Sequence, residues 1–129
     1  FGTKFYELSI DIWSAGCIIA EMIRGVPLFQ GDSDLDQMHQ IFKVLGTPTA
    51  DTMPNYADLQ KEFPGITQYP RADLGAILKT DDEFLIDLVS KMLQYDPMKR
   101  LTAQDALKHP FFDGVSVQIK QMCWPKELQ

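Results

Sequence analysis

Ser9-Ile-Asp-Ile-Trp-Ser-Ala-Gly-Cys-Ile-Ile-Ala-Glu-Met-Ile-Arg24 is the stretch whose reading decides the fold. Ten of the fourteen residues from Ile10 to Ile23 are apolar, and Gly16 adds no polarity. On a helix of 3.6 residues per turn they fall on every side. Ile10, Trp13 and Cys17 lie on one side, Ile12, Ile19 and Ile23 on another, with Ile18 and Met22 between. A helix that is apolar all round belongs in an interior. This one is too short and too interrupted by Asp11 and Glu21 to cross a bilayer, which takes about 20 apolar residues. It therefore reads as the buried central helix of a globular core, stopped by Gly25. Such a helix needs other elements on all its sides, and whether 129 residues can supply them is the first question the sequence raises.

The wider composition narrows the function. A length of 129 residues fits one domain or part of one, and 45% hydrophobic content is enough for a packed core. A net charge of −6, with no basic run, argues against nucleic acid or an anionic membrane as partner. Two cysteines, Cys17 and Cys123, make no disulfide framework. The better expectation is a reducing, intracellular setting, cytoplasmic and/or nuclear. The amino terminus carries no secretory pattern and does not begin with Met, which suggests an excised piece.

Residues 1 to 8 read as a loop feeding the central helix. After it, Leu28 and Phe29 should tuck inward from a turn made by Gly25, Pro27 and Gly31. Ser33 can cap a second helix, with Asp36 three residues on as a variant of the capping box. Leu35, Met38, Ile41, Phe42 and Leu45 keep helical spacing on one face until Gly46. From 47 to 80 the texture changes. This insert holds four of the eight prolines and little periodicity, apart from a short helix around Asn55 to Glu62. Loops this long are usually functional. Thr80 with Glu83 forms a capping box for a helix carrying Leu85, Leu88, Val89, Met92 and Leu93, closed by Asp96-Pro97. Thr102 caps another, with Asp105 at the box position, ended by His109-Pro110. The tail, 113 to 129, is ambiguous. No alternating β-branched run is present, so the fold class is all-α.

In order and spacing, these segments resemble part of one protein family. The residues that carry the likeness are Asp11-Ile-Trp-Ser-Ala-Gly-Cys17, Pro27-Leu-Phe-Gln-Gly-Asp-Ser33, and Asp36-Gln37 with Ile41-Phe42. Leu45-Gly-Thr-Pro48, Met92-Leu-Gln-Tyr-Asp-Pro-Met-Lys-Arg100 and Ala106-Leu-Lys-His-Pro-Phe-Phe112 complete them. Collinear over nearly the whole chain, they resemble the carboxy-terminal portion of the large lobe of a eukaryotic protein kinase. The likeness is greatest to the cyclin-dependent kinases, with mitogen-activated and glycogen-synthase kinases as the wider group. The resemblance implies a partial kinase domain over 1–112, with its insert at 47–80, and a tail over 113–129. It implies that Asp11 accepts backbone N–H groups of the catalytic loop and that Arg100 pairs with a glutamate ending the activation segment. It also implies that Trp13 packs near the substrate-side loops. The parent would use ATP and Mg, and its partners would be the amino-terminal part of the kinase, a cyclin, and a Cks-type docking subunit. By position, Asp32, Ser33, Leu35 and Asp36, with Tyr56 and Phe63 of the insert, are the docking contacts. The insert departs from the family here: Met53-Pro54 stands where Trp-Pro is common.

The residues themselves carry no catalytic, cofactor-binding or metal site. No G-x-G-x-x-G, Val-Ala-Ile-Lys, His-Arg-Asp, Asp-Phe-Gly or Ala-Pro-Glu occurs. Phosphoryl transfer rests on the groups in those motifs. His39 reads as a helix-surface residue and His109 as a helix terminator, since neither has metal spacing. Asp32, Asp34 and Asp36 lack the sixth-position glycine and twelfth-position glutamate of a calcium loop, so they read as a helix start. Asp11 has a sharper case, because a carboxylate at the first turn of a buried helix must find donors.

Two functions are in contention. One is scaffold and docking surface within a cyclin-dependent-kinase-like serine/threonine kinase. The other is a stand-alone helical interaction domain, which would have to cover its own apolar helix and satisfy Asp11 and Arg100 by itself. On the kinase reading, the isolated chain exposes apolar surface and is marginally stable or self-associating. Denaturant unfolding of purified monomer with an apolar dye present checks this. A sharp two-state transition without dye binding would favour the stand-alone domain.

Overall fold

The computed structural model describes residues 2–128, with side chains from Leu8 onward. Its regular structure is helical throughout: α1 (Gly2–Arg24), α2 (Asp34–Leu45), α3 (Tyr56–Glu62), α4 (Leu74–Leu78), α5 (Glu83–Met92), α6 (Ala103–Leu107) and α7 (Val117–Cys123). Single 3-10 turns occupy Pro110–Phe112 and Lys126–Leu128. No strand occurs among the described residues, as the periodicity required. No helix among them is long and apolar enough to cross a membrane.

Two expectations about the first helix change. It does not start at Ser9 but runs back to Gly2, so all of the expected loop except residue 1, which lies outside the described residues, is helical. Nothing between Gly2 and Ser9 breaks a helix, and once a helix is nucleated each further residue adds a backbone bond at small cost. Nor is α1 the buried centre. Ala20 is buried, but Ile18 is 57% and Met22 78% exposed. The rest of the chain covers one side of α1 and leaves the other open. The most buried helix is α5, where Leu88 and Val89 are fully inaccessible and Leu85, Met92 and the following Leu93 nearly so. The two-residue-wide stripe seen in the sequence is thus the true centre of the fold.

Helices α1 and α5 meet at Gly16. A Cβ there would lie 3.0 Å from Met92 Cβ and 3.1 Å from Leu93 Cδ2, so the absence of a side chain sets how closely the two approach. Around this contact Leu28, Leu45, Leu74, Leu78 and Ala20 complete the main core, and Ala106 with Phe111 and Phe112 forms a second patch against Leu88 and Met92.

The caps place the helices. Ser33 Oγ accepts from Asp36 N at 3.1 Å, and Thr102 Oγ1 accepts from Asp105 N at 3.1 Å, both as expected. On α5 the cap moves two residues along. Asp82 Oδ1 accepts from Phe84 N and Leu85 N, and Thr80 instead accepts from Asp82 N. A carboxylate bonds helix amides more strongly than a hydroxyl does. Helix α4 was not anticipated inside the insert; Asp73 caps it, and it buries Leu74 and Leu78.

The insert is closed at its neck. Thr47 N donates to Tyr69 O at 2.9 Å, Tyr69 N to Thr47 Oγ1 at 2.8 Å, and Ala72 N to Val44 O at 3.1 Å. Tyr95 OH donates to Gly46 O at 2.5 Å, and Lys99 Nζ to Asp51 O at 2.7 Å, pinning the neck to the turn after α5. Burial pushes the Tyr95 phenol above its ordinary range, so it stays a donor. Gly46 sits at φ +85°, and a Cβ there would come within 3.0 Å of Arg71 N.

Gly16→Ala should destabilise the protein. An alanine in a helix normally gains about 0.5–1 kcal/mol over glycine. Here the new methyl meets Met92 Cβ, which is fixed to the backbone, and overpacking of that kind costs about 1–3 kcal/mol. A lowered urea midpoint at unchanged slope is the expected reading, and a raised midpoint would show that the α1–α5 contact is looser than described.

Candidate functional site

The chain leaves α5 through Gln94 and turns at Asp96, whose carboxylate accepts from Met98 N at 2.9 Å. It then returns, with Leu101 N donating to Lys91 O at 3.1 Å. The turn delivers Arg100 to α1. Its Nε and Nη2 donate to Gln94 O at 3.0 and 2.8 Å, and Nη1 donates to Ser9 O at 2.8 Å and Ser9 Oγ at 2.9 Å. The guanidinium lies 5.1 Å over the Trp13 ring, which in turn stacks on Phe29 at 6.1 Å and 17°. A planar fork that bonds backbone oxygens while lying over an aromatic face suits arginine. So Arg100 and Trp13 are brought together where the turn after α5 meets α1.

Within the chain, Gln94 and the buried Ser9 hold Arg100. Ser9 was missed. Its sequence signal was a small hydroxyl leading an apolar run, which needs a hydrogen-bond partner once buried. The expected place of Asp11, at the first turn of a buried helix, is corrected. Because α1 begins earlier, Asp11 sits well inside the helix rather than at its first turn, and it is exposed. Among the described residues no hydrogen bond or ion pair reaches its carboxylate. It shares with Arg100 a hollow of about 310 Å³, otherwise walled largely by Leu8, Ile12, Leu101 and Ala103. Burial pushes the Cys17 thiol up, against the opposing charge of Arg100, so this cysteine behaves as a small apolar group.

The second candidate surface lies between α2 and the insert. Asp36 Oδ2 accepts from Asp32 N at 2.9 Å, and Gln37 Oε1 accepts from Gly31 N, which ties down the loop ahead of the Ser33 cap. The acids Asp32 and Asp36 thus belong to the start of α2. Beyond the cap, Leu35 is half exposed and lines a hollow of about 350 Å³ with Met38, His39 and Phe63. Phe63 also lines an adjoining hollow of about 380 Å³ with Tyr56, whose hydroxyl accepts from Gln60 Nε2 at 2.8 Å. Leu35, Tyr56 and Phe63 therefore line two adjoining hollows that share Phe63, while Asp32, Ser33 and Asp36 line neither. His39 is partly buried rather than on the open helix surface, its ring edge-on to Tyr69 at 6.2 Å. Its place in this face was illegible, since the insert has no period that would position Tyr69.

Among the described residues no three histidines, cysteines or acids converge where a metal ion could be held. The glycines at positive φ, Gly25, Gly46 and Gly65, are far apart in sequence and cradle no phosphate loop.

Replacing Arg100 by Lys should cost about 2 kcal/mol, close to the loss from Arg100→Ala, because an ammonium cannot bond Gln94 and Ser9 together. Thermal or denaturant melts of both variants check this. A lysine variant as stable as the parent would mean that charge over Trp13, not the fork, carries the interaction.

The protein kinase domain family matches residues 2–112. The chain is 44% identical over 117 residues to Cyclin-dependent kinase 1 of Encephalitozoon cuniculi strain GB-M1, a similarity covering 88% of this chain and 38% of that protein. The chain thus spans well under half the length of the curated relative it matches. With its all-helical frame and its motifs in kinase order, the chain belongs to the protein kinase domain family, as a cyclin-dependent-kinase-like segment of the large lobe.

Proposed function

We propose that this segment serves a serine/threonine kinase whose whole, with ATP and Mg, transfers the γ-phosphate to protein hydroxyls. Within that whole it supplies the frame and a partner-docking face, and other residues supply the chemistry. The open side of α1, with Ile18 and Met22 exposed, supports a role as support for further protein. It argues against a self-sufficient interaction domain, as does the collinear kinase match. A cyclin is a partner by similarity to the name of the Encephalitozoon cuniculi protein alone.

The observation that carries the docking role is the face where Leu35, Phe63 and Tyr56 line adjoining hollows on a braced insert. Half-exposed apolar side chains on a rigid support lose little entropy when a partner covers them. A Cks-type subunit is the partner we assign to it, with Asp32, Ser33 and Asp36 at the rim. Phe63→Ala should weaken binding of that subunit by roughly tenfold or more, as loss of an aromatic anchor does, with the melting temperature nearly unchanged. Titration calorimetry reads the affinity. Unchanged affinity would remove Phe63 and this face from the interface. No binding by the parent chain would instead favour the mitogen-activated or glycogen-synthase type of segment.

A further inference from the structure

The carboxy-terminal segment hangs on one buried histidine. His109 is 6% exposed and links three elements. Its backbone N donates to Ala106 O at 3.1 Å, ending α6. Its Nδ1 accepts from Phe111 N at 3.1 Å, capping the Pro110–Phe112 turn. Its Nε2 meets Asp87 Oδ2 of α5 at 2.7 Å. An imidazole nitrogen that accepts a backbone N–H carries no proton. The ring is therefore neutral, and its single proton sits on Nε2 and is donated to Asp87. Both nitrogens are committed, and their roles cannot be exchanged.

The turn so capped is the root of the tail. Phe111 packs into both core patches, and Phe112 stands edge-on to Trp124 at 5.8 Å. Trp124 Nε1 donates to Leu107 O at 3.2 Å, which folds α7 back onto the end of α6. We propose that His109 is a proton-operated latch: adding a proton at Nδ1 sets two donors face to face at the Phe111 amide, opens the turn, and frees the segment from Asp113 to Leu128 while the α1–α5 core stays folded.

The surroundings of the ring fit such a latch. From α5 it faces Asp87, and behind that carboxylate lies Lys91, paired to the same Oδ2 at 2.9 Å. From α6 it meets the neutral Ala106 carbonyl, and its own chain adds the exposed Lys108. The tail contributes the neutral Phe112 and Trp124 rings. Asp87 cannot simply absorb the new charge, because it is half exposed and already shared with a lysine. The His109 hydrogen bond first, and Lys91 second, hold the Asp87 carboxyl below its ordinary range. A carboxyl that titrates lower when folded stabilises the fold fully above the ordinary carboxylate range, and that contribution fades only as pH falls through the lower folded value. The carboxylate arm of the latch therefore stays charged through mild acid.

Nuclear magnetic resonance of the intact protein with isotope-labelled histidine tests this. At neutral pH the ring should show its proton on Nε2. As pH falls from about 7.5 to 5.5, the protection factor of the Phe111 amide, referred to the intrinsic exchange rate at each pH, should fall roughly tenfold, the equivalent of one net hydrogen bond. The Trp124 indole N–H should lose its protection along the same curve, while Leu88 and Val89 amides remain protected. His109→Asn keeps an oxygen to cap Phe111 but cannot titrate in this range, so its tail should stay docked across the same pH span. A proton found on Nδ1 at neutral pH overturns the proposal. So do Phe111 and Trp124 signals that ignore the ring's titration, or an equal step in His109→Asn. If that variant does not fold, the measurements on the unaltered chain decide the matter by themselves.

Discussion

The contact at Gly16 is the constraint from which the rest of the architecture follows. Two helices touch where one has no side chain, and the other brings Met92 and Leu93 to the vacancy. That approach puts Leu88 and Val89 of α5 out of reach of water and leaves α1 with one covered and one open side. Packing of this kind is intolerant of added volume, because interiors are as dense as organic crystals. The small α4 and the Phe111–Phe112 pair then close the two flanks of α5 that α1 does not reach.

Arg100 extends this contact into a joint. It ties the turn after α5 to Ser9 and lies over Trp13, so the amino-terminal helix and the middle of the chain are locked at two points rather than one. Bonds from a charged donor to backbone oxygens in a partly buried place are worth more than exposed ion pairs. The same guanidinium fronts the hollow that contains Asp11. The arginine has partners inside this chain, and it also stands at the edge of a concave surface where further protein can lie.

Much of this was legible from residues alone. The stripe on α5, the face on α2, the caps at Ser33 and Thr102, and the stop at Gly46 are local patterns governed by helical period and hydrogen bonding, and each is present. The cap of α5 was misread by two residues because Thr80 and Asp82 both offer an acceptor, and only geometry shows which one the helix amides face. Helix α4 was illegible, since five residues are too few to display a period. How far this chain covers α1 was left open by its sequence, for a deeper reason. A sequence shows which residues are apolar, but what covers them depends on elements that need not be in the same chain. The candidate surfaces were half legible. Leu35, Tyr56 and Phe63 do converge, whereas Ser9 and His109 depend on partners, Arg100 and Asp87, too distant in sequence for any short motif to reveal.

The closed neck of the insert has a consequence for how such chains vary. Its two ends are joined by bonds between Thr47 and Tyr69 and between Val44 and Ala72, then anchored by Tyr95. No residue from Thr49 to Gln68 is buried. The entropic cost of a closed loop grows only with the logarithm of its length. The clasp therefore isolates the frame from whatever the loop carries. Residues past it are free to lengthen, shorten or change their recognition chemistry, while Gly46, Pro48 and Tyr95 are held to their identities by lack of space and by one carbonyl. A scaffold built this way can exchange its partners by rewriting one ornament and leaving the vessel untouched.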